Sequence, residues 1–128
     1  TPELIGNSIK VIEDYVNHPT NDIPFQKELL VKNILLILAT TIIAGFFTGL
    51  GFYFELSKSD WMAQTLAIGL VLSTESLNTA IEKICDFIHP DYHPKIGIIK
   101  DVASGAVTFA ALTALVIACL IYLPYLLD

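Results

Sequence analysis

Charge is scarce in this chain: 16% of its 128 residues are charged, where a soluble domain usually carries about a quarter. With 54% hydrophobic residues and a mean hydropathy of +0.64, the shortage points away from a water-facing globule and toward lipid. Basic residues are scarcer than acidic ones, seven against thirteen, and every one of the seven is Lys. The resulting net charge of -6 excludes a nucleic-acid binder, which needs a basic footprint to neutralise phosphates. The apolar content equally excludes a disordered acidic tail. Cysteine is limited to Cys85 and Cys119, with no CxxC or zinc spacing, so both read as reduced, packed thiols. The phosphate loop GxxxxGK(S/T), the GxGxxG turn, the GxSxG elbow and HExxH are all missing, which excludes the soluble types of phosphoryl-transfer enzyme. His18, His89 and His93 are scattered and read, as residues, as surface or loop positions. Residues 1–4 show no basic segment leading into an apolar one, so membrane insertion is expected from internal segments.

Three such segments are present, each of the roughly 20 residues that a bilayer crossing needs. Residues 34–54 contain no charge and end in the aromatic cluster Phe52, Tyr53 and Phe54, as suits an interface. The second segment starts at Trp61, stays apolar to Leu72, and then carries Glu75, Asn78 and Glu82. Residues 102–127 are again uncharged and close with Tyr122, Pro124 and Tyr125. Six of the seven lysines fall before the first span or between the second and third, Lys58 being the exception. The positive-inside rule therefore places the N-terminus in the cytoplasm and the C-terminus outside. The expected architecture is all-α: three transmembrane helices over about residues 30–54, 61–86 and 100–127, within a single domain spanning residues 1–128.

The first 25 residues are expected to form a surface helix and a turn. On a helix, Leu4, Ile5, Ile9, Ile12 and Val16 share one face, and Glu3, Asn7, Lys10 and Asp14 the other. Such a helix lies in the membrane interface or packs on the protein's own spans. Pro19 and Pro24 bound the turn, and residues 55–60 form a short polar hairpin connection. Residues 89–95, with Pro90 and Pro94, read as a structured cytoplasmic loop.

Chemistry concentrates on the second span. Glu75, Asn78, Glu82 and Asp86 fall at i, i+3, i+7 and i+11, within about 80° of one another on a helix. An acid at membrane depth costs about 2.5–3.5 kcal/mol by insertion scales, so it is seldom kept without a partner or a task. Taken alone, Asn78 serves equally well as interhelical glue, and Glu82 and Asp86 could lie in water. Together, acids on one face repel unless a cation sits between them, and an oxygen ligand set suits magnesium. Lys100-Asp101, at the expected entrance of the third span, reads either as a positive-inside anchor or as an ammonium placed to neutralise a polyphosphate. A non-enzymatic membrane subunit or ion-coupled carrier, using the stripe as a cation path, is the rival reading.

These residues resemble a known family. Glu75-Ser-Leu-Asn-Thr-Ala-Ile-Glu82, then Asp86, the Asp91-Tyr92-His93 turn, and Lys100-Asp101 before a small-residue span together resemble the signature of prokaryotic diacylglycerol kinases and undecaprenol kinases. Asn21-Asp22-Ile-Pro-Phe25-Gln-Lys-Glu28 is similar to a further segment of that family. The resemblance implies a homotrimer in the bacterial inner membrane that moves the γ-phosphate of MgATP onto the hydroxyl of a membrane lipid, diacylglycerol or undecaprenol. It implies Glu75 as catalytic base with Asn78 close by, and Glu82 with Asp22 holding the metal. It further implies Lys100 on the phosphates supported by Asp101, Asp91 and His93 near adenine and ribose, and Glu28 and Asp86 lining the same region. The chain departs from the family pattern in three places: Asp22 stands where Glu is usual, the N-terminal helix lacks the usual basic pattern, and the first hairpin is longer than in short members.

Overall fold

The computed structural model describes residues 1–17, 23–89 and 91–128, without the side chains of residues 15–17, 23–30 and 33. Four helices follow one another: α1 (Pro2–Asn17), α2 (Ile23–Tyr53), α3 (Lys58–Ile88) and α4 (Pro94–Leu127). No strand forms among the described residues. At 1.5 Å per residue, α2 and α3 are each about 46 Å long and α4 about 51 Å, longer than a hydrocarbon core of roughly 30 Å.

Two stretches are long and apolar enough to cross a membrane, Ile34–Tyr53 and Pro94–Leu127. α3 has the length but carries the acid stripe, which lowers its mean hydropathy. Large apolar side chains are exposed along the molecule, and among the described residues none is fully buried. A surface so rich in Ile, Leu and Phe is that of a membrane protein. In α1 every described side chain is exposed, Leu4 and Ile5 at 69% and 62%, so the other described residues leave its apolar face uncovered.

Two helix starts differ from the sequence expectation. α2 begins at Ile23, so Pro24 lies inside its first turn rather than bounding a loop. Proline is tolerated there because the N–H it lacks would have no helical partner. α4 begins at Pro94, not near residue 100: Pro94 takes the first helical position, and the His93 ring accepts from the Lys95 N–H through Nδ1 at 3.2 Å as N-cap. Lys100 and Asp101 therefore sit in the second turn of α4 instead of at its entrance.

The hairpin between α2 and α3 is tighter than expected. Glu55 takes a left-handed φ of 51°, and the N–H groups of Glu55 and Leu56 close back onto the carbonyls of Phe52 and Gly51. This pair of bonds is a Schellman stop, here with Glu where Gly is usual. Ser57 then caps α3, its Oγ accepting from the Asp60 N–H at 3.2 Å and donating to Asp60 Oδ2 at 2.8 Å. Gly51 allows this close turn, because a Cβ there would stand 2.8 Å from the Trp61 ring. Leu56, Ile121 and Tyr122 form the buried cluster behind the hairpin, with Phe47, Phe54 and Trp61 packed around them.

α3 and α4 make the main helix pair, while α2 touches α3 over a short stretch. Small residues permit the close approach: Ala67, Ala103 and Ala110 are buried in the α3–α4 seam, Gly105 is half-buried, and Ser104 and Ala106 face outward. Cys85 is buried and Cys119 exposed; both are free thiols.

Candidate active site

The second half of α3 and the start of α4 carry the polar residues. Glu75, Asn78, Glu82 and Asp86 are all half-buried along α3, as the spacing requires. From Glu75 to Asp86 the stripe runs about 16 Å along the helix axis. At the Asp86 end, Lys100 Nζ donates to Asp86 Oδ1 at 2.5 Å, tying α4 to α3. The pair is only partly shielded, with side-chain exposures of 36% for Lys100 and 24% for Asp86. The carboxylate partner of Lys100 is thus Asp86, and the neighbouring Asp101 is exposed.

In the middle of the stripe, Asn78 Nδ2 donates to Glu82 Oε1 over 3.4 Å, one turn along the same helix. The other end of that amide, Asn78 Oδ1, is buried without a hydrogen-bond partner among the described residues. Among the described residues Asn78 therefore bonds along its own helix and does not glue two helices together. A buried oxygen lacking a donor, beside a carboxylate, is suited to a cation. Among the described residues no three His, Cys, Asp or Glu side chains converge on one point. The donor set fits a magnesium ion carried by a polyphosphate, since that ion usually takes one or two protein carboxylates and fills its shell with phosphate oxygens and water.

At the other end, Glu75 meets α2, where Thr40 Oγ1 lies 2.9 Å from Glu75 Oε2. Both residues line a cavity of about 350 Å³ between α2, α3 and α4, whose walls include Phe47, Ala67, Ala114 and Ile121. Gln64 lines the same cavity eleven residues before Glu75, about 16 Å down α3. The space is therefore an apolar slot with an acid at one end.

The turn between α3 and α4 brings Asp91, His89 and His93 together. His89 Nδ1 donates to the Asp91 carbonyl at 2.7 Å, and the two imidazole rings stand 5.1 Å apart. Because a carbonyl only accepts and an N–H only donates, His89 carries its proton on Nδ1, and His93 leaves Nδ1 bare. Asp22 and the side chain of Glu28 lie outside the described residues. Two features of the site have no distinctive signal in the sequence: Thr40, one of several hydroxyls in an apolar run, and the pairing of Asp86 with Lys100.

The profile of the family described as prokaryotic diacylglycerol kinase matches residues 27–122, three quarters of the chain and all of the described stripe. The chain belongs to this family. Among curated members, the undecaprenol kinase of Bacillus subtilis is 46% identical over 76 residues, 59% of this chain and 62% of that protein. The diacylglycerol kinase of Synechocystis is 42% identical over 60 residues, 46% of this chain and 34% of that protein. The diacylglycerol kinase of Escherichia coli K12 is 38% identical over 55 residues, 43% of this chain and 45% of that protein. The chain thus matches less than two thirds of the length of each of these diacylglycerol kinase family members. No solved structure matches it significantly.

Proposed function

We propose that this protein is an ATP-dependent lipid kinase that transfers the γ-phosphate of MgATP to the hydroxyl of a membrane lipid alcohol. The observation that carries the proposal is the position of Glu75: it ends an apolar slot on one side and begins the polar stripe that leads to Lys100 on the other. A lipid alcohol has the matching division, a hydrocarbon tail for the slot and a hydroxyl for the acid. Glu75 accepts the hydroxyl proton as the lipid oxygen attacks the γ-phosphorus, and the bond from that phosphorus to the bridging oxygen breaks to release ADP. Asn78 stands beside the reacting groups. Lys100 meets the negative charge of the phosphates, Asp91 and His93 lie toward adenine and ribose, and Asp101, Glu28 and Asp86 line the same polar region. Glu82 and Asn78, with Asp22 as the family pattern suggests, would hold magnesium, which neutralises phosphoryl oxygen charge when bound.

The proposed setting is the bacterial inner membrane, with three spanning helices formed by α2, α3 and α4, α1 at the interface and the N-terminus in the cytoplasm. The family pattern further suggests a homotrimer, and the exposed apolar surface of α2 leaves room for such contacts. Both diacylglycerol and undecaprenol serve as candidate acceptors.

The test is to incubate purified protein in lipid with MgATP and each alcohol separately. Glu75→Gln should remove phosphotransfer by at least about 10²-fold, the lower end of general base catalysis, with nucleotide binding retained. Activity retained in that variant overturns the role of Glu75. A cation carrier, by contrast, shows neither phosphotransfer nor thermal stabilisation by MgATP.

A further inference from the structure

We propose that Thr40 is a positioning residue for Glu75, holding one carboxylate oxygen so that the other faces the substrate. The proposal rests on the kinase reading given above for Glu75 as base. Thr40 reaches Glu75 from a different helix, α2, with Oγ1 2.9 Å from Oε2, and this is the one hydrogen bond Glu75 makes among the described residues. The same hydroxyl lies 2.6 Å from the Leu36 carbonyl, one turn back on α2. Thr41 and Thr48 make only that second kind of contact, to the carbonyls of Ile37 and Ala44. Bonding back to the preceding turn is what a threonine in an apolar helix does to satisfy itself. Thr40 does this and also meets an acid.

A hydroxyl has one proton and two lone pairs. Standing between a carbonyl, which only accepts, and a carboxyl, which accepts or donates, Thr40 matches both protonation states of Glu75. With Glu75 ionised, the Thr40 proton points at Oε2 in a charge-assisted bond. Once Oε1 has taken a proton, Oε2 is the carbonyl oxygen of a neutral carboxyl and still accepts from Thr40. The carboxyl stays in one place through a reaction in which it gains and then loses a proton. Oε1 is left for the lipid hydroxyl, whose proton it takes as the oxygen–phosphorus bond forms and ADP leaves with the electrons of the broken bond.

The experiment pairs activity with a spectroscopic reading of the bond itself. Thr40→Val keeps the shape and removes the hydroxyl, while Thr40→Ser restores it. The carboxyl band of Glu75 is isolated as the infrared difference between native protein and Glu75→Gln. Thr40→Val should shift that band and Thr40→Ser should return it. In lipid phosphorylation, Thr40→Val should lower kcat about tenfold with the KM for MgATP unchanged, and Thr40→Ser should recover most of the rate. An unmoved band overturns the proposal, as does a shifted band with unchanged kcat, or a loss that Ser does not rescue. Native protein that phosphorylates neither lipid overturns the kinase reading and with it any positioning role in catalysis, while the band still reports whether the bond exists.

Discussion

Asp86 and Lys100 show how one contact can separate two roles for a charged residue. A lysine at a membrane boundary needs no partner, because water and headgroups serve it. Lys100 is nevertheless drawn to an acid on another helix at 2.5 Å. A partly exposed ion pair adds little stability, commonly under about 1 kcal/mol, so the use of the contact lies elsewhere. It fixes the direction of a flexible four-carbon chain toward the polar stripe. Asp86→Asn should then raise the KM for MgATP several-fold while shifting the melting temperature little, as read by kinetics and thermal unfolding in one detergent. A large fall in melting temperature with unchanged KM would make the pair structural. The stripe itself was legible in the sequence, because period 3.6 puts Glu75, Asn78, Glu82 and Asp86 on one face whatever else the chain does. Thr40 was not legible: a hydroxyl that bonds to its own helix looks the same in a sequence whether or not an acid lies across from it.

The turn from α3 to α4 shows the same division at the level of the element. The presence of a break near residues 89–94 was readable from its prolines, but its extent was not. By its sequence Pro94 reads as a loop residue, whereas proline at the first helical position starts a helix when the residue before it can cap. Histidine is a poor cue for a cap, since Ser, Thr, Asn and Asp lead that preference. His93 consequently has two tasks under the proposed function, capping α4 and standing near the nucleotide, and substitutions can divide them. Asn caps well and lacks the ring. His93→Asn should therefore hold the melting temperature and weaken MgATP binding, whereas His93→Ala should do both kinds of damage, losing about 1 kcal/mol of stability. Equal stability loss in the two variants would refute the capping role. At the other turn, Glu55 pays for its left-handed backbone, so Glu55→Gly should gain up to about 1 kcal/mol and raise the melting temperature without changing kinetics.

For the whole molecule, the question is what keeps three long helices in register when so little side-chain surface is buried. At the hairpin end, the Tyr122 hydroxyl of α4 donates to Gln64 Oε1 of α3 at 2.5 Å, and Gln64 Nε2 donates to the Phe47 carbonyl of α2 at 3.1 Å. The same hydroxyl stands 3.0 Å from that carbonyl, so all three helices meet at one polar knot. Gln64 is the one buried polar residue among those described, at 5% exposure, and it lines the slot that ends at Glu75. In an apolar surround, the cost of a broken knot comes from the group left without a partner more than from the bond lost. Tyr122→Phe should therefore destabilise the protein by about 1–3 kcal/mol, because Gln64 Oε1 then has no donor. Gln64→Leu should cost less, because the Tyr122 hydroxyl still has the Phe47 carbonyl 3.0 Å away to donate to. The double variant removes the stranded Gln64 amide along with the hydroxyl and should fall well short of the sum of the two, in a cycle measured by unfolding in detergent. Losses that simply add would show that the two side chains act independently, and that the helices are held by the alanine seam of α3 and α4 alone.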